Sequence, residues 1–406
     1  MPIRPIAPLT GPKCTDDLVW PDPECSLVAL MASLAEGLGG RAGPKAPLSA
    51  LPVGEIQAHR QVVLLVLDGV GLNVVASRSP SGVFRKGLRT PLTSVFPSTT
   101  ASGVTTLMTG LSPKEHGLVG WHVYFRELGA VLAVLPGKPR YGRGDWASSG
   151  VAVERLFGLS AFSDRIGVKS SVWVPEAIAE SPVSRALRGR AEGLPHKGLS
   201  SALAQLASRL RANPGRAYHW VYDTLFDHVA HEKGLKSPEA LEVLEGYEAA
   251  LNDFLAEISA SDTLVLVTAD HGFIDSDPQQ VIGLEDYPRV QAPLLLPLTG
   301  ESRAAFAFVR EGSGAAFEAA VAEELGDRIR LYRSRDLLEA GVFGEGPCHR
   351  QLQDRIGDYT LIPVGRGIIR DRLFEERRPR LVGVHGGISA AEMKVPLLVY
   401  SAASGA

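Results

Sequence analysis

The stretch QVVLLVLDG, residues 61–69, decides the fold class. After Gln61 the run is continuously apolar and rich in β-branched side chains, which is typical of a strand buried on both faces of a parallel sheet. The run ends abruptly at Asp68-Gly69, so Asp68 stands at the carboxyl end of the predicted strand. A buried carboxylate there is costly unless a cation or a helix N-terminus lies beside it. A cap or turn role is about as common for an aspartate in this position.

Four other segments have a similar strand-like composition, and helical segments alternate with them. The predicted strands are 170–174, 218–222, 263–268 and 396–400, and the predicted helices include 199–211 and 238–258. This alternation predicts an α/β fold with a doubly wound, mostly parallel central sheet and helices on both faces. Such sheets bind ligands outside the carboxyl ends of their strands, so the chemically active residues are expected to cluster there.

The pattern along the chain predicts an N-terminal arm, a core and an insertion. Residues 1–58 are irregular and rich in proline apart from one apolar helix at 25–38, and they are predicted to pack on the core. Residues 59–272 and 383–406 form the predicted α/β core. Short strand-like runs between turns of Gly, Pro and charged residues predict a small inserted α+β cap over 273–382. The cap is expected to cover the active site and to select substrates.

The composition excludes several classes of protein. The chain has 406 residues, of which 45% are hydrophobic and 21% charged, as expected for a globular protein with a substantial core. The formal net charge of -3 provides no strong field for binding nucleic acid or an anionic membrane. No apolar stretch has the length of a membrane span. The cysteines, Cys14, Cys25 and Cys348, indicate no disulfide framework, so a cytoplasmic protein is expected.

A threonine at a predicted helix start is the candidate nucleophile. Residues 95–117 read VFPSTTASGVTTLMTGLSPKEHG, in which a Pro-Ser-Thr-Thr turn leads into a helix of small residues that ends near Gly110. The amide groups and dipole at a helix N-terminus stabilise an incoming phosphate and an alkoxide-like nucleophile, and Thr100 stands at that position. The alternative is that Ser98, Thr99 and Thr100 only cap the helix.

Further segments supply residues of the types that bind metal. In YDTLFDHVAHEKG, Asp227 and His231 are four residues apart and share one face of a helix, which lets a carboxylate and an imidazole bind the same ion. Asp270 and His271 directly follow a predicted strand, and His385 precedes the last one. A single histidine of this kind is more often structural. Three aspartates and three histidines at the strand ends of one sheet suit two metal sites with mixed ligands.

These motifs, in this order, resemble the alkaline phosphatase superfamily and, within it, the nucleotide pyrophosphatase/phosphodiesterase (type I phosphodiesterase) family, over roughly residues 60–400. The resemblance implies an alkaline phosphatase-like fold and two divalent metal ions, with zinc as the expected metal and manganese as the alternative. It implies that Thr100 contacts the ions and acts as the nucleophile through a phospho-threonine intermediate. The implied ligands are Asp227, His231 and His385 for one ion and Asp68, Asp270 and His271 for the other.

The sequence departs from the family pattern at two places. Family members often read TFPNH at and after the nucleophile, whereas here Thr100 is followed by Ala-Ser-Gly-Val. The family's diesterases have an Asn after an SHG turn that helps to hold a phosphate oxygen. This chain reads HGLVGWHVY there, with Trp121 and His122 as candidate substrate contacts in its place.

The expected function is a two-metal phosphoric ester hydrolase. Small-molecule phosphodiesters and nucleotide pyrophosphates are the first choice of substrate. The alternative within this class is a phosphomonoesterase or a phosphonate (C–P) hydrolase of the same superfamily. The alternative from another class is a catalytically inactive relative that binds phosphate-bearing ligands, although a complete set of convergent titratable groups is costly to keep without chemistry. The sequence does not predict the oligomeric state.

Overall fold

The computed structural model describes residues 6–12, 18–145, 148, 150–213, 215–371, 373, 376 and 381–402, so Cys14 lies outside the described residues. The strands, in chain order, are β1 Gln61–Leu67, β2 Leu88–Thr93, β3 His122–Phe125, β4 Ala130–Ala133, β5 Lys138–Pro139, β6 Lys169–Pro175, β7 Glu192–His196, β8 Ala217–Asp223, β9 Thr263–Thr268, β10 Ile274–Asp275, β11 Val281–Gly283, β12 Thr299–Gly300, β13 Ala305–Ala307, β14 Ile329–Arg333, β15 Tyr359–Pro363, β16 Ile368–Arg370, β17 Gly383–Val384 and β18 Lys394–Ala402. The α-helices are α1 Leu27–Gly37, α2 Val53–Gln57, α3 Leu72–Ala76, α4 Val83–Gly87, α5 Thr100–Thr109, α6 Pro113–His116, α7 Val153–Phe157, α8 Phe162–Arg165, α9 Glu176–Ala179, α10 Pro182–Arg188, α11 Leu199–Ala212, α12 Leu225–Lys233, α13 Pro238–Glu257, α14 Pro288–Gln291, α15 Gly314–Leu325, α16 Ser334–Glu339, α17 Leu352–Ile356 and α18 Ala390–Met393.

The central sheet is mostly parallel. Within the described residues its strand order is β2-β18-β9-β1-β8-β6-β7. The strands from β9 to β7 are parallel neighbours, and β18 is antiparallel to both β9 and β2. Every residue of β1, β8 and β9 is buried, which means that both faces of the sheet are covered there. This burial is the reason that these strands read as unbroken apolar runs, and the predicted α/β fold is confirmed.

The predicted core elements end within two residues of the observed ones. β1 and β9 match the predicted bounds, and β6, β8, β18, α11 and α13 differ by one or two residues at an end. Strands β2 and β7 are not predicted from the sequence; they lie at the two edges of the sheet and read LRTPLT and EGLPH. Edge strands are half exposed and tolerate proline and charge, so they lack the apolar run that identified the central strands.

A second sheet is antiparallel throughout and has the order β14-β15-β13-β12-β3-β4-β5 in the described part of the chain. Four of these strands belong to the predicted cap. The other three come from residues 122–139, which the sequence analysis assigned to the core. These strands pair with those of the insertion, while Val123, Phe125 and Leu132 pack in the main hydrophobic core. A short strand such as HVYF carries no local sign of which sheet it will join.

The two ends of the predicted insertion meet. β10 pairs with β17 in antiparallel register, with Ile274 opposite Val384. The Asp270-His271 turn lies just before β10 and His385 just after β17. The pairing therefore brings these residues together although more than a hundred positions separate them along the chain.

The N-terminal segment contacts both the main hydrophobic core and the second sheet. Helix α1 is buried in the main hydrophobic core, and the Ser26 side chain accepts a hydrogen bond from the amide of Ala29 at its start. The described arm before it contacts other elements: Leu9 N donates to Leu331 O of β14 at 2.7 Å. Nearer to α1 the arm contacts the predicted core, since Val19 N donates to Ile388 O at 2.8 Å and Asp22 N donates to Thr93 Oγ1 of β2 at 2.9 Å. The described residues include no helix with the length and apolar character needed to cross a membrane.

Candidate metal centre

The carboxyl ends of β1 and β9 bring together one group of candidate ligands. Asp68 follows β1, and Asp270 and His271 follow β9, its parallel neighbour. His271 Nε2 lies 3.3 Å from Asp68 Oδ1 and 3.5 Å from Asp270 Oδ2. All three side chains are buried. The amide of Gly69 donates to Asp270 Oδ1 at 3.2 Å, and the Tyr222 hydroxyl donates to Asp68 Oδ2, so both carboxylates are held in one orientation.

A second group forms on helix α12, which follows β8. His231 Nε2 lies 3.4 Å from Asp227 Oδ1, as the four-residue spacing predicts. His385 reaches the same place from the loop after β17, with Nε2 3.8 Å from Asp227 Oδ1 and 3.2 Å from His231 Nε2. These three ligand atoms are therefore as close to one another as the donors around a single small cation.

The two groups are contiguous. The rings of His271 and His385 stack with centroids 3.8 Å apart and planes inclined by 24°. Ligand atoms of Asp227, His271 and His385 also lie within 4.8 Å of one another, so His271 borders both groups. The structure thus brings all six predicted ligands into one cluster at the carboxyl edge of the central sheet, where α/β sheets bind their ligands.

The hydrogen bonds of two histidines indicate that this cluster needs a proton or a cation between its side chains. His231 Nδ1 lies 2.8 Å from the carbonyl oxygen of Gly383, and His271 Nδ1 lies 3.0 Å from that of Gly272. A carbonyl oxygen can only accept, so both Nδ1 atoms carry a hydrogen. In a neutral imidazole Nε2 then presents a lone pair, and on both rings it points towards carboxylate oxygens. Only a proton or a cation between them makes this arrangement favourable.

The carboxylate oxygens also indicate that the cluster needs a proton or a cation. Among the described residues, Asp68 Oδ1, Asp227 Oδ1 and Asp270 Oδ2 are buried and have no hydrogen-bond partner. Buried carboxylate oxygens are expected to be paired, and leaving each unsatisfied costs about 1–3 kcal/mol or more. These are the same atoms that face the histidine Nε2 atoms. The donor set of carboxylate oxygen and imidazole nitrogen fits divalent cations such as zinc or manganese.

The electrostatics of the cluster follow from its burial. Burial raises the pKa of Asp227 to about 7 and that of Asp270 to about 7. Burial and the Asp227 charge also raise the pKa of Asp68. Burial lowers the pKa of His271, but the Asp270 and Asp68 carboxylates outweigh it and raise that pKa to about 10. Three carboxyl groups are thus crowded into a dry environment that disfavours their negative charge, and bound cations would stabilise the charged forms.

Thr100 stands at the edge of this cluster. It is the first residue of α5, and its Oγ1 lies 3.1 Å from His271 Nε2. The neighbouring hydroxyls have other partners: Ser98 Oγ donates to Gly387 O at 2.7 Å, and Thr99 Oγ1 donates to Glu301 Oε1 at 2.6 Å. Thr99 is the N-cap residue, and its side chain makes no cap hydrogen bond. The capping alternative therefore lacks its hydrogen bond at Thr99, and the Thr100 hydroxyl faces the cluster. Ser102 N already donates to Thr99 O at 3.1 Å, so the amides of Thr100 and Ala101 are the ones at this helix start that can donate to a phosphate oxygen.

The small residues after Thr100 have a steric reason. A Cβ atom placed on Gly103 would lie 2.7 Å from Asp270 O and 2.8 Å from Asp270 Cβ. Helix α5 can therefore lie directly against the Asp-His turn only if this position is glycine. The departure from the family pattern after Thr100 coincides with this close approach.

A cavity of about 470 Å³ opens beside Thr100, and both predicted substrate contacts line it. Trp121 is 40% exposed, and His122 is the first residue of β3. The sequence analysis missed a third residue of this wall, Glu301, whose Oε1 accepts hydrogen bonds from Thr99 Oγ1 and from Trp121 N, each at 2.6 Å. Glu301 follows β12 in the segment TGES, which matches no catalytic or metal-binding motif, so local sequence carried no signal for it.

Burial raises the pKa of Glu301 to about 7, although its hydrogen bonds from Thr99 and Trp121 and the nearby His271 lower it. The Asp227 charge acts in the raising direction. These effects place the Glu301 carboxyl within electrostatic reach of the metal-binding cluster.

A buried ion pair supports the loop that carries His385. Arg303 Nε and Nη2 donate to the two oxygens of Glu392 at 3.0 and 2.9 Å, and both side chains are buried. Glu392 also accepts from Gly387 N at 2.8 Å and from Ser389 Oγ at 2.7 Å. The pair thereby ties the segment after β12 to the loop between His385 and α18.

Comparison with known proteins agrees with this geometry. A family profile described as type I phosphodiesterase / nucleotide pyrophosphatase matches residues 62–386. Among solved structures, murine ectonucleotide pyrophosphatase / phosphodiesterase 5 is 18% identical, with a TM-score of 0.63 over 84% of this chain and 87% of that one.

An inactive form of the murine protein in complex with AMP gives 18% identity and a TM-score of 0.64, over 84% and 88% of the two chains. The human protein of the same name gives 17% and 0.62, over 84% and 87%. At these identities the likeness shows the fold alone. No curated protein sequence matches the chain.

Proposed function

Because the chain belongs to the type I phosphodiesterase / nucleotide pyrophosphatase family and is therefore a phosphoester hydrolase, we propose that it cleaves small-molecule phosphodiesters with Thr100 as the nucleophile. The observation that carries this proposal is the position of Thr100, whose Oγ1 lies 3.1 Å from the His271 Nε2 of a buried Asp-His cluster. A threonine hydroxyl is a weak nucleophile in water and needs such a setting to react.

We propose that two divalent cations bind in the cluster, with zinc as the first choice and manganese as the alternative. Their ligands would be Asp227, His231 and His385 for one ion and Asp68, Asp270 and His271 for the other. Bound there, such ions lower the pKa of a coordinated hydroxyl and offset negative charge on a phosphoryl group. The unsatisfied carboxylate oxygens and the fixed histidine tautomers described above support this assignment.

In the proposed reaction Thr100 Oγ gives up its proton to solvent and attacks phosphorus. The bond between phosphorus and the leaving oxygen breaks as the new Oγ–P bond forms, and the leaving group takes up a proton. The amides at the start of α5 donate to the phosphoryl oxygens as charge develops on them. Water then attacks phosphorus, the Oγ–P bond breaks, and the Thr100 hydroxyl is restored.

Replacing Thr100 tests the role of this hydroxyl. We expect metal-loaded Thr100→Ala to hydrolyse bis-p-nitrophenyl phosphate at least about a thousandfold more slowly than the unmodified protein, because the nucleophile is absent. Thr100→Ser keeps a hydroxyl and should retain a measurable part of the activity. Both proteins should bind the same number of metal ions, measured by elemental analysis. Normal turnover by the alanine variant with its metal bound would refute the proposal.

A substrate panel separates the alternatives. Bis-p-nitrophenyl phosphate, p-nitrophenyl phosphate and phosphonoacetate represent a diesterase, a monoesterase and a phosphonate hydrolase. AMP is bound in the murine relative, so p-nitrophenyl esters of AMP belong in the panel. A preference for the monoester by several orders of magnitude would overturn the choice of phosphodiesters. Binding of fewer than two ions per chain, without hydrolysis, would favour an inactive phosphate-binding protein.

We also propose a reducing, cytoplasmic location. Cys25 and Cys348 are free thiols in the structure. Thiol labelling of the protein isolated from its native cells without reductant would check this, since oxidised or capped cysteines would contradict it.

A further inference from the structure

The segment that carries Glu301 lies unusually close to the segment that carries Trp121. A Cβ atom on Gly120 would lie 2.6 Å from Gly300 Cα, so the two segments can approach this closely only because position 120 is glycine. Gly300 pairs with His122 where β12 joins β3. Both glycines have positive φ, 154° and 79°. The absence of a side chain at Gly120 thus lets Glu301 lie against Trp121, the next residue.

The Glu301 side chain is fixed on three sides. Its Oε1 accepts hydrogen bonds from Thr99 Oγ1 and from Trp121 N, each at 2.6 Å. Thr99 directly precedes the proposed nucleophile. On the third side, a Cβ atom on Gly386 would lie 2.7 Å from Glu301 Cβ, so the stem of the glutamate packs against the residue after His385. A carboxylate is therefore held between the nucleophile turn and a metal-ligand loop.

Apart from Glu301 and the metal-binding cluster, the charged side chains that line the cavity are balanced in sign. Arg140 and Arg370 line it together with Asp371 and Glu376. The Arg140 guanidinium donates to Glu376 at 3.2 Å and to Leu298 O at 2.5 Å, so its charge is already compensated. Glu301 is the carboxylate in contact with the nucleophile turn itself. Thr100 and Glu301 line the same cavity, so a phosphoryl group next to Thr100 shares that cavity with this carboxylate.

The contact with Trp121 N also removes a donor. Trp121 lies near the place where the resemblance implies an Asn that holds a phosphate oxygen, and here its backbone N–H is bound to Glu301. The site thus presents a carboxylate in a region where a phosphate-binding donor is expected. A negative group at that place acts against substrate oxygens that carry charge, which is a form of specificity by exclusion.

We propose, on the basis of the function proposed above, that Glu301 selects substrates by charge: its carboxylate disfavours dianionic phosphomonoesters and so favours singly charged phosphodiesters. The repulsion from a fixed carboxylate is about twice as large for a doubly charged phosphoryl group as for a singly charged one at the same distance. In a partly buried site this difference is large enough to change relative rates by about tenfold or more.

The test compares the two substrate charges in one pair of proteins. Glu301→Gln removes the charge and keeps an oxygen that can accept the hydrogen bonds. We expect it to raise kcat/KM for p-nitrophenyl phosphate relative to bis-p-nitrophenyl phosphate by about tenfold, at about pH 8.5, where the monoester is a dianion. Thr99→Val keeps the charge and removes one hydrogen bond, so its ratio should stay that of the unmodified protein. An unchanged ratio in Glu301→Gln, or an equal shift in Thr99→Val, would overturn the proposal.

A binding measurement covers the case in which Glu301→Gln turns over too slowly. Calorimetric titration of the metal-loaded proteins would compare inorganic phosphate, a dianion at about pH 8.5, with singly charged dimethyl phosphate. The variant should bind phosphate about tenfold more tightly relative to dimethyl phosphate. Equal relative affinities in the two proteins would refute charge selection. These outcomes differ from a failure of the proposed function, which would appear as undiminished diester hydrolysis by Thr100→Ala.

Discussion

Replacing Glu392 by Gln is expected to destabilise the protein by about 3–5 kcal/mol, because it leaves the buried Arg303 guanidinium without its counter-charge. The structure sets this magnitude. Glu392 is fully buried, and Arg303 is 2% exposed. The two hydrogen bonds between them, at 3.0 and 2.9 Å, are charge-assisted and contribute about 1.5–3 kcal/mol each. Glutamine replaces one of the two accepting oxygens with an NH₂ group, which would face donors.

The assay is equilibrium unfolding in urea with metal bound, compared with an exposed control pair. Arg335 and Glu339 lie 2.7 Å apart on α16, with side chains 81% and 62% exposed. Glu339→Gln should therefore change the free energy of unfolding by less than about 1 kcal/mol. Replacing both Arg303 and Glu392 with apolar residues of similar volume should recover much of the loss from the single change, since no buried charge then remains unpaired.

The pH dependence supplies an independent check. Burial raises the pKa of Glu392, but Arg303 and the other donors outweigh it and hold that pKa below its usual value. A carboxyl with a depressed pKa in the folded state stabilises the protein above its unfolded pKa of about 4.3, and this contribution is lost as the pH falls through the lower, folded value. The difference between the unmodified protein and Glu392→Gln should therefore be largest near neutral pH and shrink in acid. A loss below about 1 kcal/mol at neutral pH, or a difference that does not shrink in acid, would refute this reasoning.

Two further changes test how the metal-binding cluster is built. Tyr222→Phe removes the hydroxyl that donates to Asp68 Oδ2. Metal affinity, measured by competition with a chelator, should then fall by about 10–100-fold while the unfolding transition changes little. An unchanged affinity would mean that this hydrogen bond does not orient the carboxylate. Gly103→Ala would place a methyl group 2.7 Å from a main-chain oxygen of the Asp-His turn and should lower both stability and metal content. The control Gly246→Ala lies in open space on α13 and should stabilise the protein by about 0.5–1 kcal/mol. Equal effects of the two alanines would contradict the close approach of α5.

The sequence predicted the central sheet well for a physical reason. Strands β1, β8 and β9 are covered on both faces, and that environment selects unbroken apolar runs that can be read residue by residue. The edge strands β2 and β7 are half exposed, and no such run marked them. The strands β3, β4 and β5 join the second sheet, and their length and composition do not show which sheet they join.

In the candidate site, too, some features follow from local sequence and others from the tertiary structure alone. By itself the sequence determined the α/β core, the helix that begins at Thr100, the shared helical face of Asp227 and His231 and the turn of Asp270 and His271, because each depends on residues a few positions apart. Only the tertiary structure decided that His385 stacks on His271, that Glu301 contacts the nucleophile turn and that Arg303 pairs with Glu392. The residues of each of these contacts lie far apart in the chain or come from segments without a motif. Their meeting depends on how the insertion closes and on where glycines let two backbones approach, and local sequence patterns do not record either.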